Sequence, residues 1–357
     1  MIAIILSIMG VALMGLIVVG INSPGRLTAL KDADGKRIKG SIAEKLFIEI
    51  NGIKQGIFIR GENPQNPVIL YLHGGPGTPM LQFISYLEKE PLLEKYFTIC
   101  YWDQRGSGMT YTKSTGRLTV EEMIEDTRQV TEYLKSRFGQ DKIYLLGHSW
   151  GTYLSVKTIE KYPENYIAYI GIGQVTGQTK SERLAYEYML KHAKETDDSE
   201  VIEKLSKYDP YADDFPQLDY LLKVRTEIIN KYRIGHLHRG LDFKDIVKAM
   251  FLFKGYTARE KINWFIGADL SMQHLFPVIL NDDLFKSSSS FEIPFYIIQG
   301  TYDYQVSTAL AKKYLDTISA PKKDFFTFEN SAHSPNMEEP EKFVEVIRKI
   351  AKENPMS

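Results

Sequence analysis

Short apolar runs alternate with longer helical patterns through much of this sequence, and the alternation limits the folds that the chain can adopt. The runs are short enough for strands that are buried on both faces, as in a parallel sheet. The runs lie at residues 68–72, 97–102, 143–146 and 167–172, and the helical segments between them at residues 79–90, 120–138 and 151–161. A βαβ series of this kind predicts a doubly wound α/β sheet.

The series is preceded by a hairpin signal and interrupted by a long insertion. Asn51-Gly52 separates two alternating runs and predicts a two-residue turn. From about residue 174 to 290 the chain is helical, charged and aromatic, without clear strand runs. We therefore predict a sheet-containing core over residues 44–173 and 291–357, covered by a helical cap over residues 174–290, hereafter the cap. The core regains strands at residues 294–298 and 325–328 and ends in a helix at residues 338–353.

The first residues differ from the rest of the chain. Residues 2–21 carry no charge and are long enough to cross a bilayer as a helix. A basic start and a small-residue cleavage site are both missing, which favours an uncleaved anchor (residues 1–22) over a secretory signal. Residues 23–43 are predicted to be a linker. The basic residues of this linker, with none before the anchor, favour a single-pass membrane protein with the rest of the chain in the cytoplasm.

Charge and cysteine content exclude several classes of protein. The net charge is −1 without a block of like charges, so no nucleic-acid partner is expected. The chain has one cysteine, Cys100, which excludes an intrachain disulfide and a cysteine-based metal site. Because Cys100 lies in an apolar run, it is expected to be a buried structural thiol.

The segment Gly147-His148-Ser149-Trp150-Gly151 contains the strongest candidate for a reactive side chain, Ser149. It follows a predicted strand and opens a predicted helix, the setting of the nucleophile elbow of α/β hydrolases. The glycines allow a sharp turn that exposes the serine hydroxyl. The alternative is a serine that only caps a helix. We predict an α/β-hydrolase fold with Ser149 as the catalytic nucleophile.

A serine needs a base, and in this fold the acid and then the histidine follow it in the chain. Asp303 lies in the segment Gly300-Thr301-Tyr302-Asp303, just after the strand at 294–298, and His333 follows the strand at 325–328. We predict that His333 deprotonates Ser149 and that Asp303 orients His333. Asp103 is a rival acid, but it precedes the serine and is expected to shape a turn. The pair His236-x-His238 could be a metal site, but no third ligand is near, and no metal or cofactor is expected.

His73-Gly74-Gly75-Pro76-Gly77 follows the strand at 68–72. Its glycines allow a tight turn that aims a backbone N–H at a reacting carbonyl. The N–H groups of Gly75 and Trp150 are therefore predicted to form the oxyanion hole, although the loop could have a structural role only. A phosphate site is excluded because no Gly-Lys-Ser/Thr follows.

Together these segments resemble the proline iminopeptidase family of α/β hydrolases. The resemblance rests on His73-Gly74-Gly75-Pro76-Gly77, Asp103-Gln104-Arg105-Gly106-Ser107-Gly108, the Ser149 segment and the Asp303 and His333 segments, and it spans residues 45–173 and 291–350. It implies a serine aminopeptidase that releases an N-terminal residue, often proline, from small peptides through an acyl-enzyme. It also implies a cap whose carboxylates hold the ammonium group of the substrate.

Two functional alternatives remain open. A triad alone does not choose the acyl donor, so an esterase or amide hydrolase acting on a small acyl substrate is the first. The second is a non-catalytic, membrane-tethered binding protein of the same fold. Each carboxylate in the cap is by itself expected to be a solvated helix charge. The candidates for amine binding are Glu182, Glu187, Glu203 and Glu227.

Overall fold

The structure, a computed structural model, describes residues 19–32, 34–87, 93–239 and 243–356. Within these residues, eight strands form one sheet in the spatial order β1-β2-β4-β3-β5-β6-β7-β8. The strands are β1 (Ile42–Ile50), β2 (Ile53–Gly61), β3 (Val68–Leu72), β4 (Thr98–Trp102), β5 (Ile143–His148), β6 (Tyr166–Ile172), β7 (Phe295–Gly300) and β8 (Lys323–Phe328). The predicted α/β-hydrolase fold is confirmed.

The first two strands form the predicted hairpin. Ile50 pairs with Ile53 across Asn51-Gly52, whose φ angles of 46° and 75° are those of a type I′ turn. β2 also pairs antiparallel with β4, and the other neighbouring strands are parallel. The parallel part of the sheet therefore presents the carboxyl ends of its strands along one edge.

Side chains of the central strands belong to two hydrophobic clusters, one on each face of the sheet. In β3, Val68, Leu70 and Leu72 belong to one cluster, whereas Ile69 and Tyr71 belong to the other. This alternation is the two-residue period of a strand, and burial on both faces explains the uninterrupted apolar run. Cys100 in β4 is buried as predicted, and burial raises the pKa of its thiol.

Helices connect the strands and fill the cap. The helices of the core are α1 (Leu81–Leu87), α2 (Val120–Phe138), α3 (Trp150–Lys161), α10 (Thr308–Thr317), α11 (Pro335–Glu338) and α12 (Pro340–Glu353). Those between β6 and β7 are α4 (Gln178–Glu195), α5 (Ser199–Leu205), α6 (Thr226–Lys231), α7 (Phe243–Leu252), α8 (Ala258–Asn281) and α9 (Leu284–Ser287), with a π-helical turn at Tyr220–Arg225. The predicted final helix, α12, starts at Pro340, two residues later than predicted. Proline disfavours helix at the residue before it, so Glu339 separates α12 from α11, which ends at Glu338.

The long helix α8 packs on the loops that follow β3 and β4. The Trp264 indole N–H donates to the oxygen of Pro79 at 3.1 Å, and the Asn263 amide donates to the oxygen of Tyr111 at 3.2 Å. Gly267 lies where a side chain would meet the backbone of Gly106. This packing sets α8 above the carboxyl edge of the sheet.

The predicted linker also contacts the cap. Pro24 forms an isolated antiparallel bridge with Thr257, and the Arg26 N–H donates to the oxygen of Lys254 at 3.1 Å. The predicted anchor lies mostly outside the described residues, which begin at Val19. None of the helices described in the structure is both long enough and apolar enough to span a membrane.

Candidate active site

Ser149 occupies the turn between β5 and α3 in a conformation that L-residues rarely adopt. Its φ and ψ are 55° and −120°, and its N–H donates to the oxygen of Ile172 at 2.9 Å. Gly151 allows this turn, because a Cβ at that position would overlap the backbone oxygen of Leu72 in β3. The strained backbone is held by its surroundings, as is typical of functional positions. The predicted strand–turn–helix setting of Ser149 is therefore present.

Asp303 and His333 form a buried pair at the ends of neighbouring strands. The His333 Nδ1 lies 2.8 Å from the Asp303 Oδ2, and the side chains are 3% and 0% exposed. The other carboxylate oxygen accepts the N–H groups of Gln305 (2.9 Å) and Val306 (3.0 Å), and Gln299 donates to Oδ2 at 2.7 Å. Because a carboxylate oxygen can only accept, this contact favours the neutral tautomer with its proton on Nδ1, in which Nε2 is an acceptor.

One cavity of about 370 Å³ is lined by Ser149, His333 and Gly75 together. Gly75 has a φ of +109°, which glycine adopts without strain. Trp150 is the first residue of α3, so its N–H lies at a helix N-terminus, where backbone donors lack partners within the helix. The structure thus brings the predicted nucleophile, base and glycine loop to one cavity.

Gln104 joins the glycine loop to the elbow. Its amide donates to the oxygen of His73 at 3.2 Å, and its Oε1 accepts the indole N–H of Trp150 at 3.1 Å. Its backbone N–H donates to the His73 Nε2 at 3.3 Å. Gln104 therefore connects His73, at the start of the glycine loop, to the side chain of Trp150 in the elbow. The local sequence pattern gives no signal for this role of Gln104.

Asp103 shapes a turn, in agreement with the sequence interpretation. Its Oδ2 accepts the N–H of Met109 and the hydroxyl of Tyr256, both at 2.8 Å. Burial raises the pKa of its carboxyl to about 7. Beside it, Arg105 makes two charge-assisted hydrogen bonds of 2.7 and 2.9 Å to Asp126 in α2. The loop that follows β4 is therefore fixed at both ends.

The prediction that each cap carboxylate is solvated is wrong for Glu182. This side chain is 0% exposed, and its Oε2 accepts the Nε–H of Arg225 at 2.5 Å. Gln178 donates to the other oxygen at 2.8 Å. Arg225 also donates to the side-chain oxygen of Gln305 at 2.9 Å, so the buried pair ties the cap to the loop that holds Asp303.

The other three candidates lie at the surface and have partners there. Glu203 and Glu227 are 77% and 52% exposed in ion pairs with Lys207 and Lys204, respectively. Glu187 accepts the hydroxyl of Tyr211. None of the four predicted amine-binding carboxylates lines the cavity, and among the described residues its lining includes no Asp or Glu.

The two histidines of the possible metal pair point to different places. His236 lines the cavity, and its ring centroid lies 6.3 Å from that of His333. His238 instead stacks on Tyr302, with ring centroids 3.7 Å apart. His148 lies closer to His333, at 5.0 Å between centroids, and its Nε2 donates to the main-chain oxygen of His333 at 3.0 Å.

Stability is expected to fall as the pH decreases from about 6.5 to 4. Burial lowers the pKa of His73 to about 4 and of His236 to about 3, and it lowers the pKa of His148 well below its usual range. Unfolded histidines bind protons below about pH 6.5, so the unfolded state takes up more protons in this window and is favoured. Burial also raises the pKa values of Asp103, Glu160 and Glu182, and these three carboxyls act in the opposite direction. The lowered pKa of Glu125, which is hydrogen-bonded to Arg128, acts in the same direction as the histidines.

Urea unfolding near pH 7 and near pH 5 measures this effect. Each buried histidine contributes at most about 1.4 kcal/mol per pH unit. The variant His236→Gln should therefore lose less stability between the two pH values than the parent chain. A free energy of unfolding that is equal or higher near pH 5 would contradict the expectation.

Comparisons with known proteins agree with this geometry. Residues 89–340 match the family described as serine aminopeptidase, S33. The chain is 34% identical over 319 residues to the probable aminopeptidase YbaC of Bacillus subtilis. This alignment covers 88% of this chain and 98% of that protein. It is 27% identical over 300 residues to a proline iminopeptidase of Saccharolobus solfataricus, covering 82% of this chain and 86% of the relative.

Solved structures show the same fold at low sequence identity. A proline iminopeptidase of Mycobacterium smegmatis superposes with a TM-score of 0.60 at 13% identity, over 87% of this chain and 98% of that one. VinJ superposes with a TM-score of 0.61 at 16% identity, over 87% and 99% of the two chains. The fold and the sequence matches lead to one conclusion: the chain belongs to the serine aminopeptidase S33 family of α/β hydrolases.

Proposed function

We propose that the protein releases an N-terminal residue, proline or a similar one, from short peptides by an acyl-enzyme mechanism. The observation that carries the proposal is the buried Asp303–His333 pair at the same cavity as the strained Ser149. The names of the peptidase relatives support the choice of a peptide substrate.

In the first half of the reaction, His333 Nε2 takes the proton of Ser149 Oγ as this oxygen attacks the carbonyl carbon. The N–H groups of Gly75 and Trp150 stabilise the oxyanion, and each donor of this kind contributes about 2.7–4 kcal/mol in other hydrolases. The imidazolium, stabilised by Asp303, gives its proton to the leaving amine nitrogen, and the C–N bond breaks.

The second half releases the amino acid. His333 takes a proton from water, which attacks the ester formed between Ser149 and the N-terminal residue. The collapse of this second tetrahedral intermediate returns the proton to Ser149 Oγ and gives a free carboxyl group, which then releases its own proton to water. Proton, water and acyl group balance over the two halves without any further co-reactant.

A second candidate function is an esterase or amide hydrolase. It is favoured by the lining of the cavity, in which no described side chain is a carboxylate and one, Arg225, is a cation. An ammonium group would have no direct anionic partner on these residues, because Glu182 is already neutralised by Arg225. An uncharged acyl group needs no anionic partner, so its burial in this cavity would leave no charge unpaired.

A substrate panel separates the two candidates. Proline anilide, alanine anilide and their N-acetylated forms are compared by kcat/KM, with a short-chain nitrophenyl ester as a fifth substrate. For the aminopeptidase, we expect the free anilides to react at least about tenfold faster than the blocked ones, a difference of about 1.4 kcal/mol. Equal cleavage of free and blocked anilides would reject amine recognition and support the second candidate.

We also propose that residues 2–21 anchor the protein in a membrane with the catalytic body on the cytoplasmic side. The uncharged run and the basic residues that follow it support this orientation. We expect the full chain to stay in the membrane pellet after alkaline carbonate extraction. The double variant Leu13→Arg and Leu16→Arg should be released, because each central arginine costs about 2.5–3.5 kcal/mol, whereas Leu13→Val with Leu16→Val should remain. Release of the parent chain would reject the anchor.

A further inference from the structure

Large apolar side chains are exposed on the first half of α8. Ile262, Phe265 and Ile266 are 61%, 44% and 45% exposed. Their spacing of three and four residues places them on one side of the helix. The adjacent Trp264 faces inward and lines the catalytic cavity. We call Ile262, Phe265 and Ile266 the apolar face of α8.

The N-terminal chain is fixed beside this face. Lys261, the residue before Ile262, donates to the oxygen of Asn22 at 2.8 Å and to the oxygen of Phe251 at 2.7 Å. The bridge between Pro24 and Thr257 holds the next residues at the start of α8. The uncharged run at residues 2–21 therefore ends at the first turn of the helix that carries the apolar face.

The surroundings of the face are apolar and basic. Phe47 is 49% exposed and lies beside Lys45, whose Nζ pairs with Glu260 in the first turn of α8 at 2.6 Å. Arg259 is exposed and lies three residues before Ile262, on the same side of the helix. Lys254 is exposed just before α8. The face ends at Asp269, which accepts a hydrogen bond from Gln273 at 2.8 Å. Basic side chains beside exposed apolar ones are typical of surfaces that bind anionic membranes.

We propose that the apolar face of α8 docks on an anionic phospholipid surface. This inference rests on the proposed insertion of residues 2–21 into the same membrane. The contacts of Asn22 and Pro24 keep the face next to the point where the chain enters the bilayer. Docking is then intramolecular and needs little intrinsic affinity. The proposal fixes the orientation of the cap on the membrane and does not depend on the reaction at Ser149.

A fluorescent label on the face tests the docking. The one native thiol, Cys100, is fully buried, so a cysteine introduced at the surface can be labelled selectively. The variant Ile266→Cys, carrying an environment-sensitive dye, is reconstituted as the full chain in phosphatidylcholine–phosphatidylglycerol vesicles with and without headgroup-region nitroxide lipids. Lys142→Cys is the matched control, because Lys142 is exposed and precedes β5 at the opposite edge of the sheet.

We expect nitroxide lipids to quench the dye at position 266 at least about twofold more than the dye at position 142. Thermal unfolding of both variants checks that they are folded. Carbonate extraction of the same vesicles checks the anchor separately. If the chain stays with the membrane, equal and weak quenching at both positions would overturn the docking proposal. If the chain is released, the anchor and the docking are rejected together. A shielded but unquenched dye at 266 would also overturn it and show that residues 1–18 cover the face. Shielding that grows with the protein-to-lipid ratio, without quenching, would show that a second copy covers it instead.

Discussion

Replacement of Ser149 by alanine is expected to abolish covalent labelling by a fluorophosphonate and to lower kcat by as much as about 10⁶-fold, as in other serine triads. The reagent reacts with an activated serine oxygen, and alanine removes that oxygen. Trp150 and the backbone of the glycine loop remain, so a residual rate above that in water is expected from the oxyanion donors alone.

The control for this variant is Ser114→Ala, which removes an exposed serine from a surface loop. It should leave labelling and turnover unchanged. Mass spectrometry of the labelled parent chain should find the adduct on the peptide that contains Ser149. No labelling of the folded parent chain would favour the non-catalytic binding protein, and labelling that persists in Ser149→Ala would assign the nucleophile elsewhere.

The variant Asp303→Asn is expected to lower kcat/KM by about 10⁴-fold, the loss found for the same change in another triad. The Asp303 Oδ1 accepts two backbone N–H groups, from Gln305 and Val306. An asparagine would keep its oxygen there and turn its NH₂ toward His333 Nδ1 and the amide of Gln299. His333 would then accept at Nδ1 and carry its proton on Nε2, where it cannot act as a base.

Steady-state kinetics on the preferred substrate of the panel measures this loss. Asp316→Asn, an exposed change in α10, is the control and should retain full activity. Circular dichroism and thermal unfolding separate a wrong tautomer from a failure to fold, because the former leaves the variant folded. A loss of less than about tenfold would mean that Asp303 is not the residue that orients the catalytic histidine.

Much of the core could be predicted because its signals are local. A parallel strand buried on both faces must be apolar throughout, so the run at 68–72 coincides with β3. Asn51-Gly52 determines a hairpin by itself, since both residues adopt positive φ. The order of serine, acid and histidine predicts Asp303 and His333 as partners, and the fold brings His333 Nδ1 within 2.8 Å of Asp303 Oδ2 across 30 residues of sequence.

What the sequence could not reveal depends on packing between distant segments. Glu182 and Glu187 are both charged residues of α4, yet Glu182 is buried beside Arg225 whereas Glu187 lies at the surface beside Tyr211. Gln104 is likewise one polar residue in a glycine-containing loop until His73 and Trp150 are placed beside it. Partners of this kind come from other parts of the chain and leave no periodic signal.

The hydrogen bonds from Arg225 to Gln305 have a consequence for protein engineering. Recombination between relatives usually treats a cap as a module that can be exchanged at its two ends. Here the module extends beyond residue 290, because the loop at 303–307 accepts hydrogen bonds from the cap and contains Asp303, the predicted acid of the triad. A chimera that takes the cap from one parent should therefore take this loop from the same parent.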